Sequence, residues 1–171
     1  NISSFGVIKK IKKKFNLKKI GHAGTLDPLA EGVLPIAIGK TTKLIQFINK
    51  EVKEYEFEIK WGEQTSTDDR EGEVIDRSDY VPSELEIKRA LDFFLGEIIQ
   101  LPPKASAVKI NGERAYSLFR KNKEFKTKEK VVTIYQSSII KSEKNSISKI
   151  KIKCGKGFYV RSFARDIAET L

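Results

Sequence analysis

The chain has 171 residues, of which 39% are hydrophobic, so it can form one domain with a buried core. Its 33 Lys and Arg against 23 Asp and Glu give a net charge of +10, which favours a polyanionic partner such as nucleic acid. A solvated lysine-rich surface is the alternative interpretation. One Cys and one His exclude an internal disulfide and the usual zinc ligand sets. With no apolar run of membrane-spanning length and no visible signal peptide, we expect a cytoplasmic location.

The first segment predicts a short helix followed by a basic stretch. Ser3 or Ser4 can cap the helix, and Asn16 can end it in a left-handed conformation. The expected apolar face consists of Ile8, Ile11 and Phe15. Lysines cover the remaining surface, at Lys9, Lys10, Lys12, Lys13 and Lys14. For these lysines, phosphate contact and simple solvent exposure are both open.

The next segments predict two strands separated by a helix. Residues 33–38 form a short apolar run, typical of a buried strand, and Thr41 or Thr42 can then cap a helix. Further on, apolar and charged residues alternate in the clearest strand pattern of the chain. Its apolar side consists of Tyr55, Phe57, Ile59 and Trp61. We expect most of these residues in the core, whereas Tyr55 lies at the beginning of the strand, where a cleft could reach it.

The middle of the chain predicts a strand around Val74 and Ile75 and then a helix. Ser83 and Glu86 have the spacing of a capping box, and Gly96 ends the apolar stripe that follows. Residues 106–110 predict a strand, and Asn111-Gly112 is typical of a tight turn.

The last third predicts more strands and a final amphipathic segment. A short basic helix at 116–120 is followed by a charged and mobile stretch at 121–130. Residues 131–140 and 147–154 predict a hairpin, and Phe163 and Ile167 lie in an amphipathic end. The whole pattern indicates an α+β fold with mostly antiparallel strands.

The segment from Gly21 to Pro35 is the main candidate for chemistry. Gly and Pro restrict its backbone on both sides of one carboxylate, Asp27. An isolated Asp-Pro is usually only a turn, so the residues alone leave a structural role for Asp27 open. Two nucleotide motifs fail: Leu34 stands where a P-loop needs its first glycine, and the pair Gly155 and Gly157 lacks a third. No serine protease-like triad is indicated either, because His22 has no special geometry toward Asp27.

The same segment resembles the catalytic motif of the TruB family of tRNA pseudouridine synthases. The resemblance continues without gaps through residues 53–55, 62–69, 102–120 and 157–162, and so covers essentially the whole chain. It implies a pseudouridine synthase fold with a central, mostly antiparallel mixed sheet, flanking helices and a thumb-loop insertion at about 101–130. Residues 1–171 would form the catalytic domain. The N-terminal Lys-Pro strand and the C-terminal RNA-binding extension of the family are expected to be missing.

The resemblance implies isomerisation of the T-loop uridine at tRNA position 55, with no cofactor and no metal. Asp27 would act at the sugar carbon C1′, either by forming an adduct or by generating a glycal, and sequence leaves this choice open. Tyr55 would stack on the target base and serve as the base for the C5 proton. Arg161 would pair with Asp27, with Asp69 as the second acid of that network.

The resemblance also implies a set of RNA contacts. They are His22, Lys104, Arg114, Tyr116, Arg120 and Tyr159. For His22 a purely structural role is equally open, since a loop histidine often only bonds backbone. The extrusion of a base from a folded loop costs a few kcal/mol, which stacking on an aromatic ring offsets in part.

Three other functions stay open beside the expected monomeric tRNA-modifying enzyme. The first is a guide-RNA-dependent catalytic subunit related to the H/ACA particle enzyme, which shares the aspartate motif. The second is an RNA-binding module without catalysis, and a P-loop ATPase is a distant third.

Overall fold

The computed structural model describes residues 2–48, 52–143 and 146–171. The chain forms two compact units, Asn1–Glu51 and Val52–Leu171. Every pair of strands within the described residues is antiparallel, and helices accompany them in both units. The predicted α+β class is therefore confirmed, whereas the assignment of 1–171 as a single catalytic domain stays a prediction.

Helix α1, Ser4–Lys14, begins where the sequence predicts. The hydroxyl of Ser3 caps it by accepting a hydrogen bond from the Gly6 N–H at 3.1 Å. The helix is followed by Asn16 at φ 48°, which confirms the predicted left-handed stop. Phe15 is 62% exposed, so its placement on the buried face was wrong. Phe15 is the C-cap residue and follows the last helical residue, whereas Ile8 lies within the helix and is buried in the core.

Strand β1, Ile20–His22, pairs with β2, Ile36–Ile38, and the two bracket the Gly-rich segment. The predicted buried strand at 33–38 is wrong in length and burial, since only its last three residues pair and Val33 is 88% exposed. Pro35 explains the late start, because it has no N–H to donate to a ladder.

The helix after β2 also differs from the prediction. A 3-10 segment, Gly39–Leu44, leads into the short α2, Ile45–Ile48. Neither threonine is the N-cap, because both hydroxyls bond backward to carbonyls. Thr42 Oγ1 donates to the Gly39 carbonyl at 2.9 Å, and Thr41 donates to that of Ile38.

The second unit is built on a four-stranded sheet with the order β3-β10-β9-β6. Two small ribbons accompany it, β4 with β5 and β7 with β8. The strands are β3 Lys53–Lys60, β4 Glu63–Thr65, β5 Val74–Arg77, β6 Gly96–Gln100, β7 Lys109–Ile110, β8 Glu113–Arg114, β9 Lys130–Glu143 and β10 Ile147–Cys154. The helices are α3 Glu84–Phe93, α4 Ala115–Arg120 and α5 Val160–Thr170.

The core of the second unit lies between the sheet and the helices α3 and α5. Its completely buried side chains include Ile87, Ile150, Ile152, Phe163 and Ile167. The alternation in β3 is confirmed, with Ile59 and the following Trp61 buried and the charged side chains outside. Those outer side chains pair with lysines of β10: Lys149 lies 3.2 Å from Glu56, and Lys151 lies 3.2 Å from Glu54.

Turn and cap residues follow the sequence prediction more closely than strand lengths do. Ser83 and Glu86 form the predicted capping box of α3. Asn111 and Gly112 both have positive φ, 49° and 88°, as a tight hairpin turn requires. The strand predicted at 106–110 shortens to β7, and β6, which begins at Gly96, was not predicted at all.

Candidate active site

The Asp27 segment in the first unit is held through backbone hydrogen bonds on both sides of its carboxylate. The buried Ser4 hydroxyl accepts the Leu26 N–H at 2.9 Å and donates to the Leu26 carbonyl at 3.0 Å. On the other side, the Ala30 N–H donates to the Asp27 carbonyl at 2.9 Å. The side chain of Asp27 is exposed. A fixed backbone therefore presents an acid at the protein surface.

The ends of the same segment are tied together. The Ala23 N–H donates to the Pro35 carbonyl at 2.9 Å, next to the pairing of His22 with Ile36. His22 Nδ1 and the carbonyl of Gly24 form a hydrogen bond, with Gly24 at φ 85°. Because this contact needs a proton on Nδ1, the neutral ring has Nε2 as its acceptor. The RNA contact expected of His22 stays a prediction.

Tyr55 lies on the core side of β3, near the beginning of the strand, and is half-buried. Its ring stacks on that of Phe158, with centroids 6.4 Å apart and planes inclined by 24°. The phenol is thus positioned by packing within the second unit. A ring fixed in this way is suited to stacking on a base.

Arg161 and Asp69 form an ion pair in the second unit. The guanidinium of Arg161, in the first turn of α5, lies 3.2 Å from Asp69 and donates to the carbonyls of Thr67 and Ala105 at 3.1 and 3.2 Å. Asp69 also accepts the Thr67 hydroxyl at 2.7 Å and the Glu71 N–H at 3.0 Å. The structure thus pairs the arginine and the second acid that the resemblance assigns to one network, and their catalytic roles stay predictions.

One turn further along α5, Arg165 repeats this arrangement with residues that the sequence analysis missed. Its Nη1 donates to Asp68 at 3.0 Å, and its Nη2 donates to the Leu101 carbonyl at 3.0 Å and to Asp166 at 2.8 Å. Burial raises the pKa of Asp68 above its ordinary value, and the charge of Arg165 opposes that shift. Arg161 and Arg165, four residues apart, share a face of α5, and their partners Asp69 and Asp68 are neighbours in another part of the chain. No local sequence signal identifies this second pair, because Arg165 and Asp68 are 97 residues apart in the chain.

The residues expected to contact RNA lie on exposed or half-buried surface of their units. Lys104, Arg114, Tyr116 and Arg120 are exposed, and the Arg120 guanidinium lies 5.8 Å from the Tyr116 ring centre. The backbone of Tyr159 exchanges two hydrogen bonds with the buried side chain of Gln100, at 3.0 and 3.3 Å.

The predicted thumb contains an open groove of about 750 Å³. Its lining includes the lysines Lys109, Lys123, Lys126, Lys128 and Lys130. Glu113 and Glu124 also line the groove, so the lysines leave it with an excess of positive charge, as a phosphate-binding surface requires.

Within the described ranges, no group of three or more His, Cys, Asp or Glu side chains is arranged to hold a metal ion. In those ranges, too, none of the helices has both the length and the apolar character needed to span a bilayer. The expected convergence of Asp27 with Tyr55 and Arg161 would join the two units, and it stays a prediction.

Residues 12–160 match the model of a family described as TruB family pseudouridylate synthase (N terminal domain). The tRNA pseudouridine synthase B of Caulobacter sp. (strain K31) is 43% identical over all of this chain and 55% of its own length. That of Wolbachia pipientis subsp. Culex pipiens (strain wPip) is 47% identical over 97% of this chain and 47% of its own length. The chain thus spans about half the length of the curated relatives it matches.

Two solved structures are similar over nearly the whole chain. A crystal structure of a Cbf5-Nop10-Gar1 complex matches with a TM-score of 0.71 and 29% identity, over 99% of this chain and 41% of that one. A structure of an H/ACA RNP bound to a substrate RNA containing 2′-deoxyuridine matches with a TM-score of 0.68 and 25% identity, over 99% of this chain and 39% of that one. The pseudouridine synthase fold implied by the resemblance is therefore confirmed, whereas its thumb-loop insertion at about 101–130 stays a prediction.

Proposed function

Because this chain belongs to the TruB family of pseudouridylate synthases, we propose that it converts a uridine in the T loop of tRNA to pseudouridine. In this isomerisation the C1′–N1 bond breaks, the uracil turns, and a C1′–C5 bond forms. The proton on C5 leaves to solvent and N1 gains a proton, so no redox step or net hydrolysis occurs. The reaction needs an acid near C1′, a base near C5 and a site for an extruded nucleotide.

The observation that carries the proposal is the presentation of Asp27. The Ser4 hydroxyl is hydrogen-bonded to both the N–H and the carbonyl of Leu26, the residue before Asp27. The Ala30 N–H donates to the carbonyl of Asp27 itself. Asp27 is exposed. A negative charge on a fixed backbone can act on C1′ as a nucleophile or stabilise positive charge there.

Tyr55 and Arg161 supply the other functions of the proposed site. The Tyr55 ring, fixed against Phe158, stacks on the uracil, and its phenol oxygen removes the C5 proton. Arg161 is oriented by Asp69 and by backbone carbonyls of two loops. It is thereby prepared to pair with the carboxylate of Asp27.

The thumb groove supports an RNA substrate. Its lysines provide cations along an open surface, and the whole chain has a net charge of +10. Phosphate contacts of this kind position an RNA without reading its sequence, whereas a stacked base fixes the reacting nucleotide. We expect affinity for the T arm to fall steeply with salt concentration.

A tritium-release assay tests the proposal. The substrate is a T-arm stem-loop RNA carrying uridine labelled with ³H at C5, and turnover releases the label to water. The parent chain should release it, whereas Asp27→Asn should release none and should bind the same RNA with an affinity within about twofold of the parent.

Asp79→Asn is the matched control, because Asp79 is an exposed acid of the second unit with no assigned role. It should retain parental turnover. Full turnover by Asp27→Asn, or none by the parent on bare RNA, would contradict the proposal.

A second candidate is a catalytic subunit that acts only within a guide-RNA particle. The observation favouring it is the similarity to the Cbf5-Nop10-Gar1 complex over 99% of this chain. The same assay separates the two functions, since a guide-dependent enzyme should not turn over a bare T-arm RNA. The higher identities, 43% and 47%, are to enzymes named tRNA pseudouridine synthase B, which favours the stand-alone function.

A further inference from the structure

The first two turns of α5 connect two segments of the second unit that are far apart in sequence. One is the turn between β4 and β5, which contains Asp68 and Asp69. The other is the segment at 101–105, where the predicted thumb begins. Arg161 contacts both segments through Asp69 and the Ala105 carbonyl. Arg165 contacts both as well, through Asp68 and the Leu101 carbonyl.

We propose that Arg165 is a positioning residue for the proposed reaction, which holds the guanidinium of Arg161 in place through these two segments. The inference rests on the proposed function for its catalytic consequence, although its structural part stands on the contacts alone. Arg165 itself is not required to touch the RNA.

The two acids are neighbours in the chain. Asp68 has φ 56°, in the left-handed region, so the backbone between the acids is tightly bent. Because Asp68 and Asp69 share a peptide bond, a displacement of the Asp68 backbone also displaces Asp69. Arg165 opposes that displacement with a hydrogen bond at 3.0 Å to a side chain that is 12% exposed.

Arg165 also anchors the segment at 101–105, where the predicted thumb begins. The Leu101 carbonyl accepts from Arg165 at 3.0 Å and from the Ser162 hydroxyl at 2.7 Å. Pro102 and Pro103 follow, both fully buried, and restrict the backbone up to Ala105. The carbonyl of Ala105 is an acceptor for Arg161, so the same anchor fixes one of its partners.

The side chain of Arg165 is itself fixed by hydrogen bonds. Its Nε and Nη2 both donate to Asp166, at 3.0 and 2.8 Å, which leaves Nη1 directed at Asp68. This side chain is 16% exposed. A lysine at 165 would keep the positive charge but could not make these contacts together, because an ammonium has no planar fork.

The experiment compares Arg165→Met with the matched control Arg77→Met, which removes an exposed arginine paired with Glu63. Turnover and RNA affinity are measured separately on the T-arm RNA under single-turnover conditions. Arg165→Met should lower the turnover rate constant about tenfold or more and leave the dissociation constant within about twofold. Arg165→Lys should recover part of the rate, and Arg77→Met should match the parent.

A second measurement does not depend on turnover. In protein labelled with ¹⁵N-arginine, the Nε–Hε signal of Arg161 is assigned by its absence in Arg161→Lys. Arg165→Met should broaden or shift this signal and speed amide hydrogen exchange at 67–69 and 101–105, whereas Arg77→Met should change neither. If Arg165→Met does not fold, Arg165→Lys is the variant for both measurements.

Two results would overturn the inference. One is an unchanged Arg161 signal with parental exchange in the folded Arg165 variant. The other is a rate loss matched by an equal loss of RNA affinity, which indicates a direct RNA contact. A parent chain that shows no turnover would refute the proposed function, while the Arg161 signal would still decide the positioning role.

Discussion

Two sets of ion pairs in the second unit have similar distances and very different surroundings. On the outer face of the sheet, Lys149–Glu56 and Lys151–Glu54 are separated by 3.2 Å, and their side chains are 40–52% exposed. On α5, Arg161–Asp69 and Arg165–Asp68 are separated by 3.2 and 3.0 Å, and their side chains are 12–20% exposed.

The comparison shows that the N–O distance alone does not determine how much an ion pair contributes to stability. Water and salt screen the exposed pairs, so each contributes little to stability. The α5 pairs are largely desolvated, and their arginines also donate to backbone carbonyls of two loops. The loss of one partner there leaves a polar group unpaired and releases a loop. We therefore expect large effects on α5 and small effects on the sheet.

The largest expected effect is on catalysis, from Arg161→Lys. An ammonium cannot replace a fork that contacts Asp69 and two carbonyls, so turnover should fall between about 10²- and 10³-fold. The tritium-release assay measures the loss, and Arg77→Lys is the same substitution at an exposed pair. If Arg161→Lys turned over within threefold of the parent rate, the expected difference between the α5 ion pairs and the exposed ion pairs would be contradicted.

The next largest effect is on stability, from Arg165→Met. This change leaves the half-buried Asp68 carboxylate without its arginine and should lower the free energy of unfolding by about 2–3 kcal/mol at pH 7. Asp68→Asn should cost less than about 1 kcal/mol, because the amide oxygen can still accept from Arg165, which also keeps its bonds to Asp166 and to the Leu101 carbonyl. Chemical denaturation measures both, and equal losses would contradict this asymmetry.

The loss of neutral hydrogen bonds in the first unit should have an intermediate effect on stability. Ser4→Ala removes both bonds to Leu26 and should destabilise that unit by about 1–2 kcal/mol. Ser3→Ala, which removes only the helix cap, is the control and should cost about 1 kcal/mol or less. Hydrogen exchange at the Leu26 N–H localises the effect, and full protection of that amide in Ser4→Ala would contradict it.

A pH-dependent effect is expected at the capping box of α3. Hydrogen bonds from Ser83 and Tyr80 lower the pKa of Glu86 from 4.5 to about 2. The folded state thus favours ionised Glu86, so the ionised carboxylate stabilises the fold. This contribution to the free energy of unfolding is complete above about pH 4.5 and is lost as the pH falls toward 2. The stability difference between the parent and Glu86→Gln should shrink over this range. A difference that is constant with pH would show that the charge has no part in the cap.

The smallest effect is expected on the sheet face. Glu56→Gln or Lys149→Gln should change the free energy of unfolding by less than about 0.5 kcal/mol. The double variant should match the sum of the single ones, as measured by a double-mutant cycle. A coupling free energy above about 1 kcal/mol would show that this exposed pair is as strong as the pairs of α5, which would contradict the expectation.

Local sequence signals predicted the features that depend on a few neighbouring residues. The Ser3 cap, the Asn16 stop, the Ser83 capping box and the Asn111-Gly112 turn are all confirmed, because each is decided by side chains within one turn of the chain. The alternation of β3 is also a local pattern and is confirmed. The α+β class is confirmed as well, because it depends on the kinds of elements in the chain and not on how far each strand extends.

Features decided by distant partners were not predicted. Strand β6 forms because β9 offers it a full ladder from Gly96 to Gln100, and nothing within these residues indicates that partner. The pairing of Arg165 with Asp68 spans 97 residues of sequence, and the bonds between Gln100 and Tyr159 span 59. The resemblance named Arg161 and Asp69, but it gave no role to the arginine and acid beside them.

The single cysteine has a practical consequence for measuring distances between chosen sites. Cys154 is completely buried, and burial raises the pKa of its thiol to about 12. Since the thiolate is the reactive form, maleimide or methanethiosulfonate probes at neutral pH should leave it unmodified. Spin labels or fluorophores can then be attached to newly introduced surface cysteines in the otherwise unaltered chain. A label near position 27 and another near position 116 would report whether the distance between these positions changes when RNA is added.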